Sequence, residues 1–308
     1  MTAASALNSS IRIETLNVDK PILIVADRDS VSIRAGTIVE IGDATHRFAE
    51  DTPVLLGTLE AGTDYAVMID ADGQPFAENV SQQNPLSPGY LAGFHFAPGG
   101  HAQGIAGGDT TPAINPYSLW NIGFRPACTD PRGMAMVEFA HGRFWADIYL
   151  LGTDHHQQGT SRYGATIADG RDLPMRPDGS GRYERLDYAT AVEIAAHHGK
   201  RLLGAEEFFA ASYGVKERCS RSKEPTRTGM TDDEAQRFIT QRGLFDATGT
   251  MWQWGTDGHP DDPRPSIFGG SWIHGSNAGS RYAGLDYWAV DSGGHLGLRA
   301  ASDHMRPA

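Results

Sequence analysis

The chain has 308 residues, 40% apolar and 21% charged, enough to bury a core without disulfide or metal staples and long enough for about two domains. Acidic side chains outnumber basic ones 38 to 26, a net charge of −12, which argues against a nucleic-acid partner because phosphate binding needs clustered Lys and Arg. No apolar run reaches membrane length, so no membrane insertion is predicted, and the N-terminus lacks the charged-then-apolar order of a signal peptide.

With 37 glycines and 17 prolines the chain reads as turn-rich and mainly β, an α+β protein dominated by strands. Residues 10–96 alternate apolar and polar side chains in short bursts: Ile11 to Ile13, Ile22 to Val25, Val31 to Ile33, Ile38 to Ile41 and Tyr65 to Ile69. Turn signals at Asp27 to Asp29, Gly42-Asp43 and Asp70 to Gly73 separate them. That spacing predicts an antiparallel sandwich or small barrel, placed here in an N-terminal domain over 1–114. Pro98 to Asn115, rich in Gly, Thr and Ala and without period, reads as a linker or a loop at a domain junction.

From Asn115 aromatics become dense, and a second domain is predicted over 115–308. Its first main helix should start at Asp187, a good N-cap, and stop at Gly199. Its second carries Glu206 and Glu207 in the first turn, where the dipole favours them, and ends near Gly214. The box Thr231-x-x-Glu234 predicts a third short helix reaching Gly243. The basic run Lys216 to Arg227, interrupted by Glu217 and Glu224, reads as a solvated loop. Cys128 and Cys219 are expected as free, buried thiols.

Catalytic arrangements are absent. There is no Walker loop, Rossmann fingerprint or Gly-x-Ser-x-Gly elbow. His155-His156 and His197-His198 are adjacent pairs, and helical neighbours point about 100° apart, so His197 and His198 cannot face one metal. Asp257 to Asp262 lacks regular ligand spacing and reads as an acidic surface turn. No cofactor is expected, and no metal ligands are assigned.

Leu244 to Trp254, Phe268-Gly-Gly-Ser-Trp272 and Gly297-Leu-Arg299 together resemble the tryptophan–glycine core of the C-type-lectin-like fold in the formylglycine-generating-enzyme superfamily. The residues suit that part. Trp252, Trp254 and Trp272 are core fillers, Gly269-Gly270 allows backbone to approach backbone, and Arg281 and Arg299 are suited to polar networks that pin long loops. More of the chain resembles the family of phage major tropism determinants, receptor-binding proteins diversified by a retroelement. The carrying segments, in order, are Ala35 to Glu40, Gly62 to Ala66, Gly93 to Gly99, Asn115 to Trp120, Phe124 to Ala127, Asp130 to Met134, Trp145 to Gly152, Ile167 to Gly170 and His198 to Leu202. Gly279-Ser-Arg281 and Asp303-His304 complete them, with Ser302 where the family has a cysteine.

The resemblance implies a β-sandwich followed by a C-type-lectin-like domain with two main helices. It also implies a variable segment over 268–299 and a non-enzymatic protein of the virion, at a tail-fibre tip, or of the cell surface in a cellular relative. The implied partner is a cell-surface protein or glycan receptor. The family forms a homotrimer, helped by an N-terminal β-prism; this chain starts near the sandwich. By alignment the variable positions fall at Ser271, Ile273, His274, Asn277, Gly284, Asp286, Tyr287, Asp291, Gly293 and His295. Diversification in the family never yields Lys, Glu, Gln, Met or Trp, and none of the ten is such a residue. Ile273, Tyr282, Leu285, Tyr287 and Trp288 lie in a Gly/Ser-rich segment, the make-up of a binding paratope, with Tyr282 and Trp288 the two most suited to a core. The alternatives are a glycan-binding lectin-like module and a formylglycine-generating-type enzyme. The enzyme needs reactive cysteines in the C-terminal core, and both cysteines here precede residue 220.

Overall fold

The computed structural model describes residues 11–139, 142–230, 232 and 234–305. Each N-terminal apolar burst forms a strand. Ile11–Glu14, Thr37–Ile41 and Ala44–Phe48 make one three-stranded antiparallel sheet, and Leu23–Asp27, Ser30–Ile33 and Thr52–Pro53 make another. A third sheet orders Ala113–Ile114, Ala92–Ala97, Thr63–Ile69 and Pro75–Asn79, with Trp120–Asn121 pairing on Ala92–Ala97. The turns work as their chemistry requires: the Asp70 carboxylate accepts from the backbone N–H of Asp72 and Gln74, and Gly73 takes φ +85°. One core of Ile22, Leu23, Val31, Val39, Val67 and Phe94 joins the three sheets, since period-two alternation sends every second side chain inward.

The C-terminal half is built on an eight-stranded sheet, in the order Met134–Phe139, Gly142–Asp147, Ala300–Asp303, Arg201–Gly204, Trp252–Thr256, Pro265–Phe268, Ala283–Gly284. Leu296–Leu298 pairs in parallel with Trp252–Thr256. The helix Tyr188–His197 starts where the Asp187 carboxylate accepts from Thr190 N–H at 3.0 Å. It stops at Gly199, φ +65°, with Gly199 N–H on Ala196 O and Lys200 N–H on Ala195 O, the double bond pattern of a glycine-terminated helix. Its buried face, Thr190, Ala191, Ile194 and Ala195, lies in a cluster with Trp254 and Leu298. In the helix Ala205–Ala211, Glu207 accepts from Gly204 N–H and pairs with Arg201 through both guanidinium NH groups.

Two expectations change. Thr231 lies outside the described residues, and the segment after it forms a single 3-10 turn, Ala235–Phe238; Glu234 bonds Ser222, with no side-chain cap at that turn. In the Lys216–Arg227 run Lys216, Arg218, Lys223 and Arg227 are exposed as expected, but Arg221 is docked, only 4% exposed, because its guanidinium is neutralised by Asp232 and Asp246 at 2.9 and 2.8 Å. Of the two readings of Pro98–Asn115, the junction loop is the one found: its backbone is bonded to Gly214, Gln236 and Thr240, and only Ala113–Ile114 at its end is a strand. The two halves also meet through buried side chains. His95 bonds Asp64 at 3.0 Å and the Tyr149 hydroxyl at 2.9 Å, and Asp64 accepts from Gly133 N–H at 3.0 Å. Both cysteines are free, Cys128 buried and Cys219 half-buried. No described helix is long and apolar enough to cross a membrane.

Candidate functional site: two pinned loops

The frame comes first. Trp254 is fully buried and donates its indole N–H to Leu186 O at 3.0 Å. Arg299, 1% exposed, spends its guanidinium on neutral acceptors, Gln253 Oε1 and the carbonyls of Asp147, Ile148 and Phe245. Burial without a contacting carboxylate pulls its pKa down to about 10. Gly270 sits at φ +76°, and a Cβ there would lie 2.6 Å from the Ala278 Cβ, so only glycine fits. Trp272 packs half-buried against Leu150, Ile167 and Met251. Arg281 departs from its expected role: it is exposed and makes no polar contact among the described residues, because its loop turns it outward.

From this frame two loops emerge, 271–282 and 285–295. The first is strutted by the Lys216–Arg227 run beneath it. Glu217 accepts from the backbone N–H and the hydroxyl of Ser280, and the Ser220 hydroxyl bonds Trp272 O and Gly275 N–H at 3.0 Å each. The second is tied by Tyr287 N–H to Pro265 O, Tyr188 N–H to Ala289 O, Leu186 N–H to the Ser292 hydroxyl and Gly170 N–H to Gly293 O. Loops so bonded hold one shape before any partner arrives.

The candidate residues divide by exposure. Ile273, Asn277 and Asp286 are exposed; His274, Gly284, Tyr287, Asp291, Gly293 and His295 are half-buried. Ser271 corrects the sequence reading: it is fully buried, its backbone bridging Thr250, so it cannot touch a partner directly. Its hydroxyl instead orients His274. The Trp252 indole N–H donates to His274 Nε2 at 3.3 Å, so that nitrogen carries the lone pair and Nδ1–H faces the Ser271 hydroxyl at 2.7 Å. Burial, with His295 nearby, pulls the His274 pKa below the usual histidine value. Tyr287 leans edge-on against Trp254 at 5.9 Å and donates to Asp291 at 2.7 Å; burial and that carboxylate push its hydroxyl up to about 12.

Trp288 is the second correction. It is 80% exposed rather than core, and with Val290, Ile273 and Leu285 it forms the apolar part of the face. No period exists in a loop to separate inward from outward side chains, so the sequence carried no signal for this. Tyr282 is half-buried, its hydroxyl on Ser276 O. Trp252 is half-buried too, filling space beneath His274. Asp257 caps its own turn, accepting from His259 and Arg264 N–H. No group of three His, Cys, Asp or Glu among the described residues is arranged to hold a metal.

Comparison with known proteins gives concordant results. A family model described as the Mtd second domain matches residues 21–121. The tail fiber receptor-binding protein of Bordetella phage BPP-1 is 38% identical over 317 residues, spanning 90% of this chain and 80% of that protein. Among solved structures, the Major Tropism Determinant U1 variant superposes with a TM-score of 0.87 at 35% identity, covering 95% of this chain and 86% of that one. The I1 variant gives 0.87 at 36% identity with the same coverage.

Proposed function

This chain belongs to the family of phage major tropism determinants, and on that premise we propose that its two pinned loops dock a receptor on the host cell surface. The protein is a non-enzymatic receptor-binding component of a phage tail fibre, carried on the virion. The observation that carries the assignment of the face is the exposure of Ile273, Leu285, Trp288 and Val290, with Asn277 and Asp286, on two loops pinned at several backbone points and meeting where His274 approaches His295. Exposed aromatic and aliphatic side chains on a pinned backbone suit an interface centre, because desolvating them is favourable and little backbone ordering entropy remains to be lost. The polar groups deeper in the face are engaged with one another, Tyr287 with Asp291 and His274 with Trp252 and Ser271, so they set shape rather than reach outward.

The receptor is a cell-surface protein or glycan. A homotrimer, the state the family resemblance implies, would multiply weak single-site contacts into avidity. The test is competition: purified chain should bind host cells saturably and block phage adsorption. Protease treatment of the cells removes a protein receptor, and periodate removes a glycan. A chain that binds host and non-host cells alike would sink the proposal.

A further inference from the structure

Away from both loops, a cavity of about 310 Å³ opens at the junction of the two halves. One wall is the turn following the strand Pro75–Asn79; the other carries Asp130, Arg132, His156, Arg162 and His198. Most charges around it are already matched. Arg132 pairs with Asp130 at 2.6 Å, Lys200 with Asp147 at 2.6 Å, and Asp64 with His95 at 3.0 Å. Arg162 differs. Its guanidinium lines the cavity, half-buried, and makes no hydrogen bond or ion pair among the described residues. His156 Nδ1 is likewise buried without a partner.

A partly desolvated guanidinium from which no described protein group accepts is suited to receive an anion. Burial pulls the Arg162 pKa down; the carboxylates of Asp64 and Asp130, neither in contact with it, offset this only in part against the nearby Arg132, and a bound negative charge would relieve the remaining penalty. A metal is the poorer occupant. His155 donates through Nε2 to Met175 O at 2.7 Å, so its Nδ1 accepts from His198 Nε2 at 3.0 Å, and the imidazoles spend themselves on each other. The volume suits something no larger than one sugar ring. The exposed amide side chains of Gln82, Gln157 and Gln158 on the rim suit hydroxyls.

We propose that this junction cavity is a second ligand site, separate from the receptor face, which takes a small oxyanion-bearing ligand with the anionic group on Arg162. The anion could be free, as phosphate or sulfate, or the acidic group of a monosaccharide. Because both halves contribute walls, occupancy also braces the sandwich against the lectin-like half and raises the melting temperature by linkage.

Isothermal titration of the full chain with inorganic phosphate and with glucuronate, at matched ionic strength in chloride, tests this. Saturable one-site binding is expected, with a rise in Tm. Arg162→Gln should weaken binding by about tenfold or more, the worth of a lost charge-assisted contact, and abolish the Tm rise. Gln157→Glu, an exposed change at the rim, should weaken it too. Glucuronate binding tighter than phosphate identifies a sugar acid as the source; the reverse identifies a free anion. Absence of saturable binding by either probe overturns the proposal, as does undiminished binding in Arg162→Gln.

Discussion

Truncating Trp288 and Tyr287 one at a time separates binding from folding, because these neighbours have opposite surroundings. Trp288 is 80% exposed, so Trp288→Ala forfeits little buried area. Stability should move by no more than about 0.5 kcal/mol, as surface substitutions do. If Trp288 anchors the receptor, its loss costs about 2 kcal/mol or more of binding, which is about 30-fold in affinity. Tyr287 rests on Trp254 and holds Asp291. Removing a half-buried ring costs about 1–1.5 kcal/mol of burial, and the hydrogen bond about 1 more. A total of about 2–2.5 kcal/mol lowers Tm by about 3–4 °C in a protein of this size. Differential scanning fluorimetry reads the second quantity, and flow cytometry of labelled protein on host cells reads the first. Trp288→Ala binding within about twofold of the parent, a difference of only about 0.4 kcal/mol, would refute the anchor. A Tm loss matching that of Tyr287→Ala would show that Trp288 is core.

Two further outcomes rest on the loop frame and its strut, and a third on the junction histidines. Glu217→Ala leaves Ser280 without its acceptor and should cost about 1–3 kcal/mol, with faster hydrogen exchange at amides 275–281 and weaker receptor binding; unchanged exchange would show that the strut is idle. Gly270→Ala forces a Cβ to 2.6 Å from Ala278 at positive φ and should destabilise by about 1–3 kcal/mol, read as a fall in Tm. His155, 1% exposed, has its pKa pulled down to about 4 by burial, so it binds fewer protons folded than unfolded. Its contribution is therefore intact above about pH 6.5 and declines as pH falls towards 4, by about 3 kcal/mol in all. Denaturant melts across that range should show the slope, and His155→Gln should reduce it, leaving the share of His198, whose pKa burial pulls down to about 3.

Much of the scaffold was legible because local chemistry decides it. Alternation placed the strands around Val31 and Val67, and Asp187 with Gly199 marked both ends of a helix. Gly270, Trp254 and Arg299 were legible as a set by family resemblance, and each has a steric or polar reason to stand where it does. The site was less legible. Arg281 and Arg299 are the same residue type in the same stretch, yet one is exposed and the other buried, and only the carbonyls gathered around Arg299 distinguish them. The strut failed to show because its partners are 52–63 residues apart in sequence, and a charge run such as Lys216–Arg227 carries no mark of what it will touch. Ser271 and Trp288 were misplaced for a related reason: irregular backbone has no period to project onto a face.

The pins that fix the two loops are made by backbone groups and by Glu217, Ser220, Ser280 and Ser292, none of them among the ten candidate variable positions. Exchanging Ile273, Asn277 and Asp286, all exposed, one at a time is therefore expected to leave the fold unaffected and, if the face binds as proposed, to change specificity. Tyr287 with Asp291, and Ser271 with His274, cannot, since each pair is joined by a hydrogen bond. In a randomised library these pairs should be inherited together, and double-mutant cycles should find about 0.5–3 kcal/mol of coupling within each pair and none between Ile273 and Asp286. The face is thus an alphabet with two ligatures, and the number of units that vary independently is smaller than the count of its positions.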